Sequence, residues 1–315
     1  MTAYTDARFA VVMPIYEDRE ASTKLFKELF SEYGTHAFVV AIDDGSVNQP
    51  VEIEALRQAG LDGVVIHLKR NVGHQRAIAI GINYVAEHMP DMPCTIVMDS
   101  DGEDTPQSIR ELVQPLKAAN VDVVVAQRKS RVETLKFKAF YVIYKWLFQL
   151  LTGRKISFGN FMALKPSAVK RLAAMQELWM HVAACVLTSK LRVQTLPIDR
   201  GPRYAGKSKM NFVGLALHGF RALMVFAEDV LVRVGIICAF VAAATVLASA
   251  LAIGLKLAHF ATPGWFSVAL GILLLVFLQT GALTLMTLML TGVVRAGAPN
   301  QVDYHAYVEQ VEQTH

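Results

Sequence analysis

The chain has 315 residues, of which 53% are hydrophobic and 18% are charged, and its mean hydropathy is +0.36. Soluble globular domains have roughly 45–50% apolar and about 25% charged residues, so the composition argues against an ordinary soluble protein. The net charge of +4 is mild; it suits attraction to anionic lipid or phosphate-bearing substrates and does not indicate a nucleic-acid partner. Three widely spaced cysteines exclude a CxxC metal site and do not suggest a disulfide framework.

The first 127 residues alternate short β-branched runs with amphipathic segments of helical length. The predicted strands cover 8–15, 36–43, 63–68, 94–99 and 121–127, and the predicted helices cover 19–33, 51–59, 74–88 and 106–119. This rhythm predicts an α/β domain with a Rossmann-like, mostly parallel sheet covered on both faces. Such sheets bind ligands beyond the carboxyl ends of their strands, so the polar residues that follow each strand are the functional candidates.

Acidic residues follow three of these strands. PIYED (14–18) follows the first strand, and IDDGS (42–46) ends the second, where adjacent carboxylates could accept hydrogen bonds from a base or a ribose. Taken alone, IDDGS would be an Asx-type turn. The densest segment is MDSDGED (98–104), in which Asp99 and Asp101 could reach one divalent cation, with Glu103 as a third ligand. Asp104 or Thr105 could instead cap the next helix.

Two segments after residue 127 depart from this rhythm. Residues 136–152 mix aromatic side chains with lysines, and residues 210–229 form a second apolar segment with isolated basic side chains. Aromatic and basic residues on one helix suit the headgroup boundary of a bilayer, so both segments are predicted to be interfacial amphipathic helices. The alternative is that they pack on the sheet or on another subunit.

Residues 230–294 contain two stretches long enough to cross a membrane. No charged residue occurs in 234–255 or in 257–294, and about 20 apolar residues are enough for one span. Arginines flank the outer ends, whereas the connecting loop carries one lysine, which predicts a hairpin that leaves and re-enters on the cytosolic side. The N-terminal sequence does not predict a signal peptide. The tail, 295–315, is predicted to be cytosolic and loose.

Several motifs together resemble family 2 glycosyltransferases with a GT-A fold, and among these the enzymes that glycosylate polyprenyl phosphates. The family's PxYxE is similar to residues 14–18, its DDGS is intact at 43–46, and its RNxG is found at 70–73. Its DADLQDPPE is similar to residues 99–107, where Glu103 replaces the usual glutamine, and its RxxGxSK is found at 203–209. The implied domain boundaries are a GT-A domain over 1–209, a juxtamembrane helix over 210–229, the hairpin and the tail.

The resemblance implies roles for individual residues. The base and ribose would be held by Pro14, Tyr16, Asp18, Asp43, Asp44 and Ser100. Mg²⁺ or Mn²⁺ would be held by Asp99, Asp101 and Glu103. The donor and acceptor phosphates would be held by Arg128, Arg131, Arg203, Ser208 and Lys209. Of these, Asp99, Asp101, Arg128 and Arg131 would be catalytic.

The predicted reaction is inverting transfer of a sugar from a nucleotide-diphosphate sugar to a polyprenyl (undecaprenyl) phosphate. A UDP-hexose is the favoured donor and GDP-mannose the next, and the enzyme is predicted to be an oligomer, a dimer or tetramer, of the bacterial inner membrane. A processive polysaccharide synthase is one alternative, and a non-catalytic nucleotide-binding membrane protein is another. Residues 201–208 also match GxxxxGK[ST], but only an amphipathic helix and two apolar spans are predicted to follow, without the further strands and acidic metal ligand that a P-loop protein needs.

Overall fold

The computed structural model describes residues 8–128, 145–154, 158–204, 212–260, 264–296 and 302–314. The chain divides into two compact units. The first contains 1–139, 156–225 and 300–315, and the second contains 140–155 and 226–299. The hairpin is therefore inserted into the sequence of the first unit.

The first unit is built on one mixed sheet. Its strands are β1 Phe9–Ile15, β2 Ala37–Asp43, β3 Asp62–Leu68, β4 Thr95–Val97, β5 Val123–Arg128, β6 Met162–Leu164, β7 Val193–Ile198 and β8 Val308–Gln313. Their order is β7-β5-β6-β4-β1-β2-β3-β8. The pairs β1–β2, β1–β4, β2–β3 and β5–β7 are parallel. The other three pairs are antiparallel, because β6 and β8 run against their neighbours.

In the sequence, the helices of the first unit lie between these strands. They are α1 Arg19–Tyr33, α2 Ile53–Ala59, α3 His74–His88, α4 Ser108–Val113, α6 Pro166–Ala173, α7 Val182–Thr188 and α8 Phe212–Met224. The second unit contains α5 (145–152), α9 Ala227–Leu257 and α10 Trp265–Ala296. Short 3₁₀ turns cover Gly34–His36, Gln114–Lys117, Gln176–Trp179 and Tyr304–Tyr307.

Two apolar clusters cover the two faces of the sheet. All seven residues of β1 are buried, and alternate side chains point to opposite faces. Met13 belongs to the cluster that contains Phe26 of α1, whereas Val12 belongs to the cluster that contains Ile78 of α3. The near-continuous apolar strands were therefore correctly interpreted as strands buried on both sides.

The prediction that the C-terminal tail is loose is wrong for its described residues. Residues 302–314 are not loose: β8 pairs with β3, and the side chain of Tyr304 is buried in the α3-side cluster. The hydroxyl of Tyr304 donates a hydrogen bond to Glu87 at 2.6 Å. The sequence VEQVEQ alternates weakly and is largely exposed, so its pairing with β3, over 230 residues earlier, had no local signal.

Two helices of the second unit have the length and composition of membrane spans. Ala227–Leu257 and Trp265–Val293 have mean hydropathies of 2.5 and 2.2 over their most apolar windows, of which only 11% and 0% are buried. Core helices of a soluble protein would be mostly buried, and these helices are also far from the N-terminus. Within the described residues, these two helices are the candidates for crossing a membrane.

The predicted interfacial helices fall in different units. Residues 136–144 of the first lie outside the described part of the chain, and its remainder, α5, groups with the spans and not with the sheet domain. Phe148 of α5 packs edge-to-face on Phe226, with ring centroids 5.7 Å apart. The second predicted helix is divided, because α8 ends at Met224 in the first unit and α9 begins at Ala227. The domain boundary at 209 stays a prediction.

A bidentate ion pair joins the starts of β5 and β7. Arg192 donates through Nε and Nη2 to the two oxygens of Asp122 at 2.8 and 2.6 Å, and its backbone N–H adds a bond of 3.0 Å. These hydrogen bonds from Arg192 lower the pKa of Asp122 from 3.8 to about 2. The carboxylate therefore stabilises the fold above its ordinary pKa, and this contribution is lost as the pH falls through about 4 to 2.

We expect Asp122→Asn to lower the free energy of unfolding by about 1.5–3 kcal/mol at neutral pH, since charge-assisted hydrogen bonds are lost. Denaturant unfolding of the full-length protein in detergent measures this loss, and the difference from wild type should shrink at acidic pH. Glu52→Gln is the control, because the pair of Glu52 with Arg19 is exposed on both sides and should contribute about 1 kcal/mol or less. Equal losses for both variants would contradict the assignment.

Candidate active site

The first two acidic motifs meet at one edge of the sheet. The register of β1 and β2 places Pro14 beside Ile42 and Ile15 beside Asp43, so PIYED and IDDGS leave the sheet together. The backbone N–H of Asp44 donates to the carbonyl of Ile15 at 2.8 Å. Both motifs therefore belong to one site, as the parallel-sheet interpretation predicts.

Glu17 connects these two loops through hydrogen bonds, a role that was not predicted from the sequence. Its carboxylate accepts hydrogen bonds from the backbone N–H groups of Val47, Asn48 and Gln49 at 2.7 to 3.1 Å. These bonds lower the pKa of Glu17, led by the one from Val47. The backbone N–H of Glu17 donates to Ser46 Oγ at 2.8 Å. The sequence offered a clue to this role, because Glu17 lies inside the PIYED motif (14–18).

Asp44 holds the third loop of the site. Its two oxygens accept the backbone N–H groups of Val72 and Gly73 at 2.7 and 3.0 Å, so IDDGS is joined to the RNVG segment before α3. Burial raises the pKa of Asp44 to about 6, against the opposing effect of these hydrogen bonds. Asp44 is only 2% exposed, so its observed contacts are with the protein's own backbone.

Gly45 allows these loops to come into contact. Its φ is +68°, and a β-carbon here would lie 2.6 Å from the backbone N of Asn71 and 2.8 Å from Cα of Arg70. Real β-carbons do not approach other atoms so closely. A glycine is thus required both by the backbone conformation and by the neighbouring chain.

The MDSDGED segment forms a compact loop after β4. The backbone N–H of Asp99 donates to Asp104 at 3.0 Å, and that of Glu103 donates to Asp101 Oδ1 at 2.9 Å. Asp104 thus closes this loop. The residue that precedes α4 is Gln107, and its side chain makes no capping hydrogen bond among the described residues. We call residues 99–104 the acidic loop.

Two arginines from the segment after β7 neutralise the acidic loop. Arg203 contacts Asp101 Oδ2 at 2.7 Å and Glu103 at 3.4 Å, while Arg200 is paired with Glu103 and lies 3.8 Å from Asp104. Burial raises the pKa of Asp101, with the charge of nearby Asp99 as the next cause, whereas Arg203 and Arg200 lower it. Burial lowers the pKa of Arg200. Arg203 belongs to the RxxGxSK motif and was predicted to lie in the site, whereas Arg200 lies outside this motif and was not predicted.

Backbone contacts hold the two segments together. The N–H groups of Gly201 and Tyr204 donate to the carbonyls of Glu103 and Asp101 at 2.9 and 3.0 Å. The ring of Tyr204 lies against Gly102, where a β-carbon would be 2.6 Å from Cζ. Residues 201–204, the first part of the segment that matches a P-loop in sequence, therefore pack against the acidic loop. The remaining residues of that segment, 205–208, lie outside the described part of the chain.

One carboxylate oxygen of Asp99 accepts no hydrogen bond from the part of the chain that the structure describes. This oxygen, Oδ1, is buried. The nearest basic atom is Nε2 of His74, at 3.4 Å, and this atom lies 3.0 Å from the side-chain amide of Asn160. His74 begins α3 and Asn160 precedes β6, and neither residue was predicted to belong to the site.

A buried carboxylate oxygen that accepts no hydrogen bond from the described residues and lies beside a second aspartate suits a hard divalent cation. Within the residues that the structure describes, however, no three His, Cys, Asp or Glu side chains form a metal-binding group. Glu103 faces the two arginines, so its predicted role as a ligand stays a prediction. Asp99 fits the expected cation, and Asp101 lies in the same loop but is paired with Arg203.

The other predicted site residues are distributed as follows. Tyr16 is 42% exposed at the site edge, Pro14 and Ser100 are buried, and Asp18 directly precedes α1. Arg128 ends β5, opposite Ile198 of β7, and only its backbone is described. Arg131, Ser208 and Lys209 lie outside the described residues.

The fold defines the class of protein. Glucosyl-3-phosphoglycerate synthase from Mycobacterium tuberculosis, solved in complex with Mn²⁺, uridine diphosphate and phosphoglyceric acid, superposes with a TM-score of 0.52 at 12% identity. The match covers 73% of this chain and 80% of that one, and it shows a shared GT-A fold. The model of glycosyl transferase family 2 matches residues 10–171, just over half of the chain. The chain therefore belongs to glycosyl transferase family 2.

Two curated relatives are similar to somewhat less than two thirds of this chain. An undecaprenyl-phosphate 4-deoxy-4-formamido-L-arabinose transferase of Edwardsiella ictaluri is 26% identical over 213 residues, which is 65% of this chain and 64% of that protein. A dodecaprenyl-phosphate galacturonate synthase of Rhizobium johnstonii is 23% identical over 214 residues, 64% of this chain and 61% of that protein. The match thus spans somewhat less than two thirds of each relative's length.

Proposed function

We propose that this protein transfers a sugar from a nucleotide-diphosphate sugar to a polyprenyl phosphate in a membrane. The observation that carries the proposal is the acidic loop at the carboxyl edge of a GT-A sheet, in which an oxygen of Asp99 is buried without a hydrogen-bond partner among the described residues. The two relatives, whose names refer to undecaprenyl phosphate and dodecaprenyl phosphate, support the same acceptor class.

The apolar helices support a lipid acceptor. A long isoprenoid cannot leave the bilayer cheaply, since each exposed CH₂ costs about 0.8 kcal/mol. The enzyme must therefore reach a phosphate that stays at the membrane surface. Two helices long and apolar enough to span a bilayer would hold the catalytic domain there.

The reaction is a single displacement at the anomeric carbon. A phosphate oxygen of the acceptor forms a bond to this carbon while the bond to the donor's diphosphate oxygen breaks, and the electron pair leaves with the nucleoside diphosphate. The anomeric configuration is inverted. Because the second pKa of a phosphate monoester is about 6, the attacking oxygen is already anionic near neutral pH, so no strong general base is needed.

The chain's own residues position and neutralise the reactants. Glu17 and Asp44 fix the loops that would receive the nucleotide, and Tyr16 is exposed beside them. Arg200 and Arg203 bring two guanidinium groups to the acidic loop, where a diphosphate and an acceptor phosphate would meet. Arg128, Arg131, Ser208 and Lys209 are proposed to contribute further phosphate contacts.

Mg²⁺ or Mn²⁺ held by Asp99 and Asp101 would stabilise the negative charge of the departing diphosphate. Glu103 remains the proposed third ligand. A UDP-hexose is the preferred donor and GDP-mannose the next, with base and ribose near Asp43 and Asp44. We further propose that the site faces the cytosol at a bacterial inner membrane, and that the enzyme is a dimer or tetramer.

The full-length protein in detergent, incubated with labelled nucleotide sugars and polyprenyl phosphate, tests this function. We expect one donor to yield a lipid carrying a single sugar, with transfer abolished by EDTA and restored by Mg²⁺ or Mn²⁺. Absence of labelled lipid with every donor would contradict transfer to the lipid. A lipid-free polymer would favour a polysaccharide synthase, and undiminished transfer in EDTA would contradict metal dependence.

A further inference from the structure

The C-terminal strand forms one edge of the sheet and reaches the side of the proposed donor site. In the pairing of β8 with β3, His67 lies opposite Gln310, and the register shifts between His67 and Leu68. The preceding 3₁₀ turn is fixed as well, because Tyr307 stacks on Trp179 with centroids 6.1 Å apart. The strand is therefore docked through side-chain packing as well as backbone pairing.

His67 connects this strand to the site. Its Nδ1 lies 3.5 Å from Asp43 Oδ2, and its Nε2 lies 3.3 Å from Glu312 Oε2. The side chain of Asp43 is 2% exposed and that of His67 is 21% exposed. The charged groups that contact the imidazole are these two carboxylates, Asp43 from β2 and Glu312 from β8, within the described part of the chain. Gln310 adds a hydrogen bond to Glu312 at 3.1 Å.

The contacts continue from Asp43 into the turn after β2. Asp43 Oδ1 accepts the backbone N–H of Ser46 at 3.0 Å. The hydroxyl of Ser46 accepts the backbone N–H of Glu17, whose carboxylate in turn holds residues 47–49. An unbroken series of contacts thus runs from the C-terminal strand through His67 to both loops of the proposed nucleotide site.

We propose that His67, held by Glu312 of the C-terminal strand, is a positioning residue that fixes Asp43 and with it the turn that binds the donor nucleotide. This inference depends on the proposed function, since it assigns the turn to the donor. It makes the C-terminal strand a component of donor binding, although this strand lies at the far end of the sequence. His67 itself does not contact the reacting atoms.

The protonation state of His67 decides whether both contacts can form. A neutral imidazole has one N–H donor, whereas the protonated ring has two and can satisfy both carboxylates. The hydrogen bond with Asp43 raises the pKa of His67, and Glu312 acts in the same direction against the effect of burial. The series of contacts is therefore complete below this raised pKa and weakens as the pH rises through it.

Binding of UDP and GDP to the full-length protein, measured by calorimetry with Mn²⁺ present, tests the proposal. We expect His67→Ala to weaken binding of the preferred nucleotide about tenfold, and His67→Gln, which keeps one donor for Asp43, to restore most of the affinity. Glu312→Gln should weaken binding about twofold to fivefold. Glu309→Gln, the same charge change at an exposed position of β8, is the matched control and should leave binding unchanged.

The pH dependence separates positioning from general destabilisation. Between about pH 6 and about pH 8, wild-type affinity should fall relative to that of His67→Gln; the comparison cancels the titration of the nucleotide itself. In transfer assays, His67→Ala should raise the KM for the donor and leave the KM for the acceptor unchanged.

Two outcomes would overturn the proposal in distinguishable ways. Wild type that binds nucleotide while His67→Ala and Glu312→Gln bind equally well would refute the role of His67 and leave the proposed function standing. Wild type that neither binds UDP or GDP nor transfers sugar would refute the proposed function and the role of His67 with it.

Discussion

Replacing Asp99 by asparagine is expected to lower the rate of sugar transfer by about 10²-fold or more, with little change in stability. Its buried Oδ1, which has no hydrogen-bond partner among the described residues, is the group in the acidic loop best placed to interact with a cation, and an amide loses the charge. The loop should remain folded, because the hydrogen bond that closes it is donated by the backbone N–H of Asp99 to Asp104 and does not involve the side chain of Asp99. Metal titrations of the transfer rate should show a weaker apparent affinity for Mg²⁺ or Mn²⁺.

Asp91→Asn is the matched control for this prediction. Asp91 is an exposed aspartate between α3 and β4, whereas the acidic loop follows β4. The same chemical change there should leave transfer at the wild-type rate. Equal activity of the two variants would remove Asp99 from the mechanism, and an equal loss would point to a general effect on the fold.

Replacing Gly45 by alanine should destabilise the protein by about 3 kcal/mol and weaken nucleotide binding. A non-glycine residue at a φ of +68° costs about 1 kcal/mol or more, and the new β-carbon forces the backbone at Arg70 and Asn71 to move. Displacing atoms in a packed region costs typically about 1–3 kcal/mol further. The displaced segment leads into residues 72 and 73, which Asp44 holds, so the proposed donor site should lose its geometry as well.

Gly34→Ala separates the cost of the positive φ from the cost of displacing a neighbouring segment. Gly34 directly follows α1 and has a φ of +54°, and a β-carbon there would meet no atom of the described residues within 4 Å. This variant should therefore lose only about 1 kcal/mol, with unchanged nucleotide binding. Denaturant unfolding in detergent and calorimetry with UDP or GDP measure both quantities. Equal destabilisation of the two variants would show that the close approach of the two loops is unimportant.

Local sequence patterns were sufficient to predict the central helices. α1 and α3 have the predicted limits, because amphipathic periodicity over 15 residues is a strong signal. The strand β6 was not predicted, since three residues, Met162–Leu164, are too few to carry a periodicity. This strand makes the sheet mixed, because it runs antiparallel to both β4 and β5.

The site was predicted less completely than the strands that carry it. Motif order placed Asp43, Asp44, Asp99 and Asp101 at strand ends, and the parallel register of β1 with β2 and β4 brings those strands together. The roles of Glu17, His74, Asn160 and Arg200 were not predicted. Each depends on a partner from another part of the chain, as in the contact of Arg200 with Glu103.

The sequence alone determined the α/β rhythm, the acidic motifs and the two apolar stretches, because these depend on residues close together in the chain. Tertiary structure decided which charges neutralise one another and where the C-terminal tail lies. Arg203 and Asp101 are separated by about 100 positions, and His67 and Glu312 by 245. Contacts of that separation have no local periodicity, and they form only because the sheet brings β7 and β8 beside the loops of the site.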